Sequence, residues 1–204
     1  MPRITPVDPA ESEGTNREIF QQFLKERGNI PNMMRTMGHC PEHLRTMVAH
    51  FRTVMNVGTV PRLVKELIAV RVSRINSCDY CLASHVLLAR RLGATDMQVE
   101  ALLGLTGAAE AAVAGFPEDC LGTAPAEPLP GADSPGDALF SPAEQAALVF
   151  AGQMAGGTGR IPETIFARLR RHYSTAEIVE IAAVAGLFAY FNRFNNALEV
   201  EITR

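Results

Sequence analysis

Pro61-Arg-Leu-Val-Lys-Glu66-Leu-Ile-Ala-Val-Arg-Val-Ser-Arg-Ile75-Asn-Ser77-Cys78-Asp-Tyr80-Cys81-Leu-Ala-Ser-His85-Val-Leu-Leu-Ala-Arg-Arg91-Leu-Gly93 is the stretch on which the fold turns. Its first half opens on a proline and spaces Leu63, Leu67, Val70 and Val72 at a mainly helical period. Its second half has Ser77 as the expected N-cap and runs from Cys78 to Leu92. Arg90 and Arg91 fall in the last turn, where cations suit the helix dipole, and Gly93 stops it. The stretch therefore predicts two helices joined by a short Asn76-Ser77 turn.

Outward from this pair the same punctuation recurs. Thr95 with Gln98, Ser141 with Glu144 and Ser174 with Glu177 each fit a capping box, and Pro142 takes the first helical position after Ser141. The final helix is expected from Thr175 to about Glu199, with Ile178, Ile181, Ala185, Phe188 and Phe191 near one face. Ile30-Pro31 and Ile161-Pro162 each precede a helical-looking segment. Strand alternation and Asn-Gly hairpins are missing, so the fold class is all-α. Between Gly115 and Pro142 lie six of the thirteen prolines, which breaks the pattern into a surface excursion or linker. The organisation expected is one helical domain over 1–204, with a core motif at 61–104, a Pro/Gly-rich loop or linker at 115–142 and C-terminal helices at 142–200.

Composition narrows the partners. The chain has 204 residues, 47% of them hydrophobic, and 19 basic against 22 acidic side chains for a net charge of −3. A chain of this length buries a sizeable core without staples. Its near balance of charge gives no reason to expect nucleic acid or an anionic membrane as partner. The charged, proline-containing start has no secretory apolar run, and the longest apolar stretch, Ile181 to Phe191, is too short to span a bilayer and reads as a buried helix. A cytoplasmic location is the expectation.

Four cysteines are too few for a disulfide scaffold, and two stand as Cys78-Asp-Tyr-Cys81. On a helix, Cys78, Cys81 and His85 project from roughly one face. A thiol acts as thiolate, and a helix N-terminus or a neighbouring imidazole lowers its pKa. A second thiol close by can condense with an oxidised first one, so the spacing suits a two-electron redox cycle. Glu66, twelve residues before Cys78, can approach the imidazole if the two helices pack antiparallel. The competing readings are a pair of structural thiols, or a zinc site using Cys40, His39 or Glu66 as fourth ligand. Cys40 and Cys120 are isolated and read as structural. Met33, Met34, Met37, Met47 and Met55 crowd the N-terminal third, as core or as an adaptable wall for an alkyl substrate.

The run from Glu66 to His85 resembles the core motif of the carboxymuconolactone decarboxylase superfamily, specifically its alkylhydroperoxidase D-like (AhpD-like), peroxidase-related branch: a glutamate, eleven residues, then Cys-x-x-Cys-x-x-x-His. Gly28-Asn-Ile-Pro31-Asn32 and Pro41-Glu-His-Leu44 are similar to the branch's leading helices, and Tyr190-Phe-Asn192-Arg193-Phe-Asn195-Asn196 to its closing helix. The resemblance implies an AhpD-like helical bundle that forms a trimer or hexamer, reduces organic hydroperoxides or passes electrons on, and takes reducing equivalents from a dithiol protein or lipoyl-type donor. No metal or organic cofactor is required. It also implies Cys81 as peroxidatic thiol, Cys78 as resolving thiol, His85 as base and Glu66 as relay. Helix-dipole reasoning alone favours Cys78 as the more acidic thiol, whereas His85 favours Cys81. The best-known members carry a histidine where this chain has Tyr80, which can donate a hydrogen bond but is a poor base. A decarboxylase, a zinc-binding or structural module and a disulfide oxidoreductase are the alternatives.

Overall fold

The computed structural model describes residues 1–103, 139–156 and 160–203. A short 3-10 turn, Pro9–Glu11, precedes α1 (Gly14–Arg27), α2 (Asn32–Met37), α3 (Pro41–Asn56), α4 (Arg62–Ile75), α5 (Asp79–Arg91) and α6 (Asp96–Leu103). After the Pro/Gly-rich stretch, which lies outside the described residues as far as 138 and takes Cys120 with it, come α7 (Pro142–Gly156), α8 (Glu163–Arg170) and α9 (Thr175–Leu198). Among the described residues every regular element is helical, as the punctuation predicts. The three capping boxes form: Gln98 N–H donates to Thr95 Oγ1 at 3.1 Å, and Ser141 and Ser174 each give their N–H to the glutamate three residues on at 2.8 Å.

Helix α4 is the axis of the fold, packed most heavily on α5, α7 and α9. Every side chain from Val64 to Ser73 is buried, so an amphipathic pattern would be wrong for it, and its apolar positions indeed run nearly all round. Leu67, Ile68, Val70 and Val72 are fully enclosed, each contributing about 1.5–3 kcal/mol of burial. Helix α9 closes the opposite side with Ile181, Val184, Phe188 and Phe191.

The turn between α4 and α5 departs from expectation in one detail that matters for the site. Ser77 is not the N-cap of α5: it is the left-handed residue that ends α4, at φ 51°. The N–H of Ser77 reaches Arg74 O at 3.1 Å and that of Cys78 reaches Ser73 O at 2.9 Å, the paired bonds of a Schellman motif. Glycine usually takes this position, and serine there costs about 1 kcal/mol of backbone strain. Cys78 thereby becomes the N-cap of α5.

A buried lysine clamps the α3–α4 connection. Lys65 Nζ donates to Val54 O at 2.9 Å and Val57 O at 2.7 Å and meets Glu180 Oε2 at 3.1 Å. The same Glu180 carboxylate accepts the N–H groups of Thr59 and Val60, and Gly58, at φ 104°, leaves no room for a Cβ beside it. Lys65→Met leaves those carbonyls and the carboxylate without their cation. Urea denaturation should show a loss of about 2–3 kcal/mol, at or below the range for a broken buried pair because the Glu180 side chain is 19% exposed. Unchanged stability would mean the clamp is ornamental.

Candidate active site

The Schellman turn and the start of α5 bring the sulfurs of Cys78 and Cys81 together one helical turn apart. Both are buried, and they hydrogen-bond to each other. The Cys81 S–H above all, then the Cys81 backbone N–H and the Asn192 and Asn195 amides, outweigh the upward push of burial and draw the Cys78 thiol down to about 7. Cys81 is pushed the other way, by Cys78 first and then by burial. Once the pair has lost its first proton, the two sulfurs share the remaining proton and one negative charge.

His85 lies one turn beyond Cys81 and is buried. Its Nδ1 stands 2.6 Å from Glu66 Oε2, and its ring meets Phe188 edge-on at 4.5 Å between centroids. An ionised carboxylate can only accept, so Nδ1 carries a proton, and in the neutral ring the lone pair is left on Nε2. Glu66 is fully buried, yet its charge is held. Burial pushes the carboxyl up, but the His85 bond and charge, joined by Arg62, keep it below the ordinary carboxylate range. Arg62 grips Oε1 with Nε at 3.0 Å and Nη2 at 2.8 Å and anchors itself on Met55 O and the Asn56 amide. The antiparallel α4–α5 pair thus delivers Glu66 to the imidazole, as its spacing from Cys78 allowed.

The access side is a cavity of about 640 Å³ whose wall includes Cys81, His85 and Tyr80 with Met33, Met34 and Phe191. Cys81, and not Cys78, is the thiol of the pair that lines it. Met33 and Met34 therefore serve both core and wall. The Tyr80 hydroxyl accepts the Met33 N–H at 3.1 Å and shares a hydrogen bond of 3.1 Å with Thr203 Oγ1, which accepts the Asn32 N–H at 2.8 Å. Burial raises the phenol's pKa despite these bonds, so it stays protonated. With one hydroxyl proton used between Tyr80 and Thr203, the other is uncommitted whichever way that bond points.

Several contributors escaped the sequence reading. Asn195 Nδ2 donates to Cys81 Sγ at 3.4 Å, Asn192 bridges Ser73 Oγ at 3.0 Å and the Asn76 amide at 3.1 Å, and Asn196 holds Asn76 O at 2.9 Å. Three asparagines at i, i+3 and i+4 in an otherwise apolar helix were the available signal, since buried polar groups need partners. Arg62, four residues before Glu66, was another. Among the described residues no group of three or more His, Cys, Asp or Glu side chains is placed to hold a metal ion. Cys40 is exposed at the N-cap of α3, and His39 and His43 are each occupied separately, by Thr5 O and by the Tyr190 hydroxyl.

Residues 41–117 match the model of the carboxymuconolactone decarboxylase family. An alkyl hydroperoxide reductase of Mycobacterium tuberculosis is 29% identical over 106 residues, 52% of this chain, a match that spans 31% of that protein's length. Among solved structures, a peroxidase-related protein of Ralstonia eutropha described as an alkylhydroperoxidase AhpD core has a TM-score of 0.76 at 21% identity, covering 99% of this chain and 92% of its own. The debrominase Bmp8 in its apo form has a TM-score of 0.73 at 22% identity, covering 98% and 91%. Motif, topology and family model agree: residues 41–117 carry the likeness to the carboxymuconolactone decarboxylase family, and the fold as a whole is AhpD-like.

Proposed function

We propose that the protein is a thiol-dependent hydroperoxidase, with Cys81 as the attacking sulfur. The observation that carries this reading is a hydrogen-bonded thiol pair of which Cys81 lines a cavity large enough for an organic substrate, backed by a His85–Glu66 contact of 2.6 Å. The shared charge favours Cys78, but access favours Cys81, and a proton moving across the S–H···S bond converts one thiolate into the other. The Cys81 thiolate attacks the terminal oxygen of the hydroperoxide. An S–O bond forms, the O–O bond breaks, and the alkoxide leaves and takes a proton from the site. Cys78 then displaces water from the Cys81 sulfenic acid to close a disulfide, which a dithiol protein or lipoyl-type donor reduces by exchange. His85 Nε2 holds the proton in transit and Glu66 steadies the imidazolium. A reducing cytoplasmic setting and a trimeric or hexameric assembly go with this reading. A lactone decarboxylase would have no step for a second sulfur.

The reading is tested by stopped-flow oxidation of the reduced protein with alkyl hydroperoxides, followed by mass spectrometry of the Cys78/Cys81 peptide. A disulfide formed at the rate of hydroperoxide loss is expected, and inert thiols would overturn it. The Tyr80–Thr203 pair supplies the leaving alkoxide with its spare proton as a hydrogen-bond donor. Tyr80→Phe should slow the oxidation about tenfold, as for loss of one donor to a developing charge. The slowing should be greater for tert-butyl than for cumene hydroperoxide, whose alkoxide leaves more readily. An equal effect on both would assign Tyr80 to packing.

A further inference from the structure

The cavity above Cys81 has a charge pattern that the chemistry at sulfur does not use. Arginines from four helices reach its wall, Arg27 at the end of α1, Arg52 of α3, Arg62 at the start of α4 and Arg91 at the end of α5, against the single wall carboxylate of Glu26. Glu26 is taken by Arg52, which contacts both its oxygens at 2.9 and 3.1 Å, and Arg62 is taken by Glu66. Arg27 and Arg91 have no carboxylate partner among the described residues. Arg90, the neighbour of Arg91, shows the contrast: it turns to Asp96 at 3.0 Å.

Each unpaired arginine sits in the last turn of its helix, where the dipole favours a cation. That explains why each position tolerates a positive charge, but not why two helices present theirs to one opening in a chain of net charge −3. Arg27 and Arg91 are exposed, whereas Met33, Met34, Phe51 and Phe191 of the same wall are buried or half-buried, so an apolar patch lies deeper than the two guanidinium groups. A volume of about 640 Å³ is that of a site for a small organic molecule rather than for hydrogen peroxide alone.

We infer that the hydroperoxide taken by this site carries a carboxylate at the end of an apolar chain remote from its O–O bond, with Arg27 and Arg91 receiving the carboxylate. Guanidinium groups match a carboxylate in shape as well as charge, and a positive mouth on an acidic protein concentrates anions there. The chain lies along the methionine and phenylalanine wall and the O–O bond reaches Cys81. The step at sulfur is the one given above, with the carboxylate unchanged. This inference rests on the hydroperoxidase reading.

The test is single-turnover oxidation of the pre-reduced protein by linoleic acid hydroperoxide, by its methyl ester and by cumene hydroperoxide, with no reductant present. The free acid should react about tenfold faster than the ester at low salt, the lower end of what steering by a charged cleft delivers. High salt, or the double substitution Arg27→Gln with Arg91→Gln, should bring the acid-to-ester ratio to about one. A ratio near one in the unaltered protein, or one that the double variant leaves intact, overturns the inference while the cumene reaction upholds the hydroperoxidase reading. Failure of all three peroxides to oxidise Cys81 removes that reading and this inference together.

Discussion

Cys81→Ser reduces hydroperoxide consumption to background, a loss of at least about 10⁴-fold, because it removes the atom that forms the bond to oxygen. Cys78→Ser behaves differently. Its first oxidation proceeds, one equivalent of hydroperoxide is consumed, and the reaction stops at a Cys81 sulfenic acid that dimedone traps. Removing Cys78 also removes the largest influence that pushes the Cys81 thiol up, so the single oxidation should stay within about tenfold of the unaltered rate near neutral pH. The contrast distinguishes charge from access as the determinant of attack. Cys78 is the sulfur with the depressed pKa of about 7, whereas Cys81 is the sulfur on the cavity wall. If Cys81→Ser retains the single turnover and Cys78→Ser loses it, the nucleophile is the more acidic thiol, and hydroperoxide must reach it by a route other than this cavity.

The helices were legible because their signals are local. Capping boxes at Thr95, Ser141 and Ser174, and the stop at Gly93, depend on residues three or four apart, and all of them recur in the fold. The meeting of Glu66 and His85 could be anticipated as well, since a short turn between two helices leaves them few ways to pack. Ser77 misled because serine is a common N-cap, while its left-handed role is imposed by the tight exit from α4. Thr203 and Asn195 were out of reach for another reason. Thr203 comes to Tyr80, and Asn195 to Cys81, across more than a hundred residues of sequence, and only the packing of α9 and the chain end against α2 and α5 brings them there. The spacing of Asn192, Asn195 and Asn196 marks buried polar groups in need of partners, but nothing within a few residues of Asn195 or Thr203 tells which partner each one meets.

Glu66→Gln should cost turnover more than a simple loss of charge implies, through the proton on His85. Arg62 fixes Oε1 with two donors, so a glutamine at this position keeps its oxygen toward Arg62 and turns its amide nitrogen toward His85 Nδ1. That nitrogen donates, so Nδ1 must accept, and the ring proton is forced onto Nε2, where the base is needed. A rate loss of about 10²- to 10⁴-fold follows, the range for disabling a general base through its tautomer. Glu66→Ala frees Nδ1 to meet water and restores the choice of tautomer. It should therefore be less damaging to rate than Glu66→Gln, although it leaves a larger void and is the less stable protein. A merely structural glutamate would give the opposite order. The pH dependence of stability supplies an independent readout. The folded pKa of Glu66 is depressed, so its contribution is fully present above the unfolded value of about 4.3 and is lost as pH falls through the folded value below it. The stability gap between the unaltered protein and Glu66→Gln, about 2 kcal/mol at neutral pH because glutamine keeps the volume and one acceptor, should narrow steadily as the solution is acidified below pH ~4. A gap that is constant across that range would mean Glu66 is not the ion that its contacts with Arg62 and His85 require.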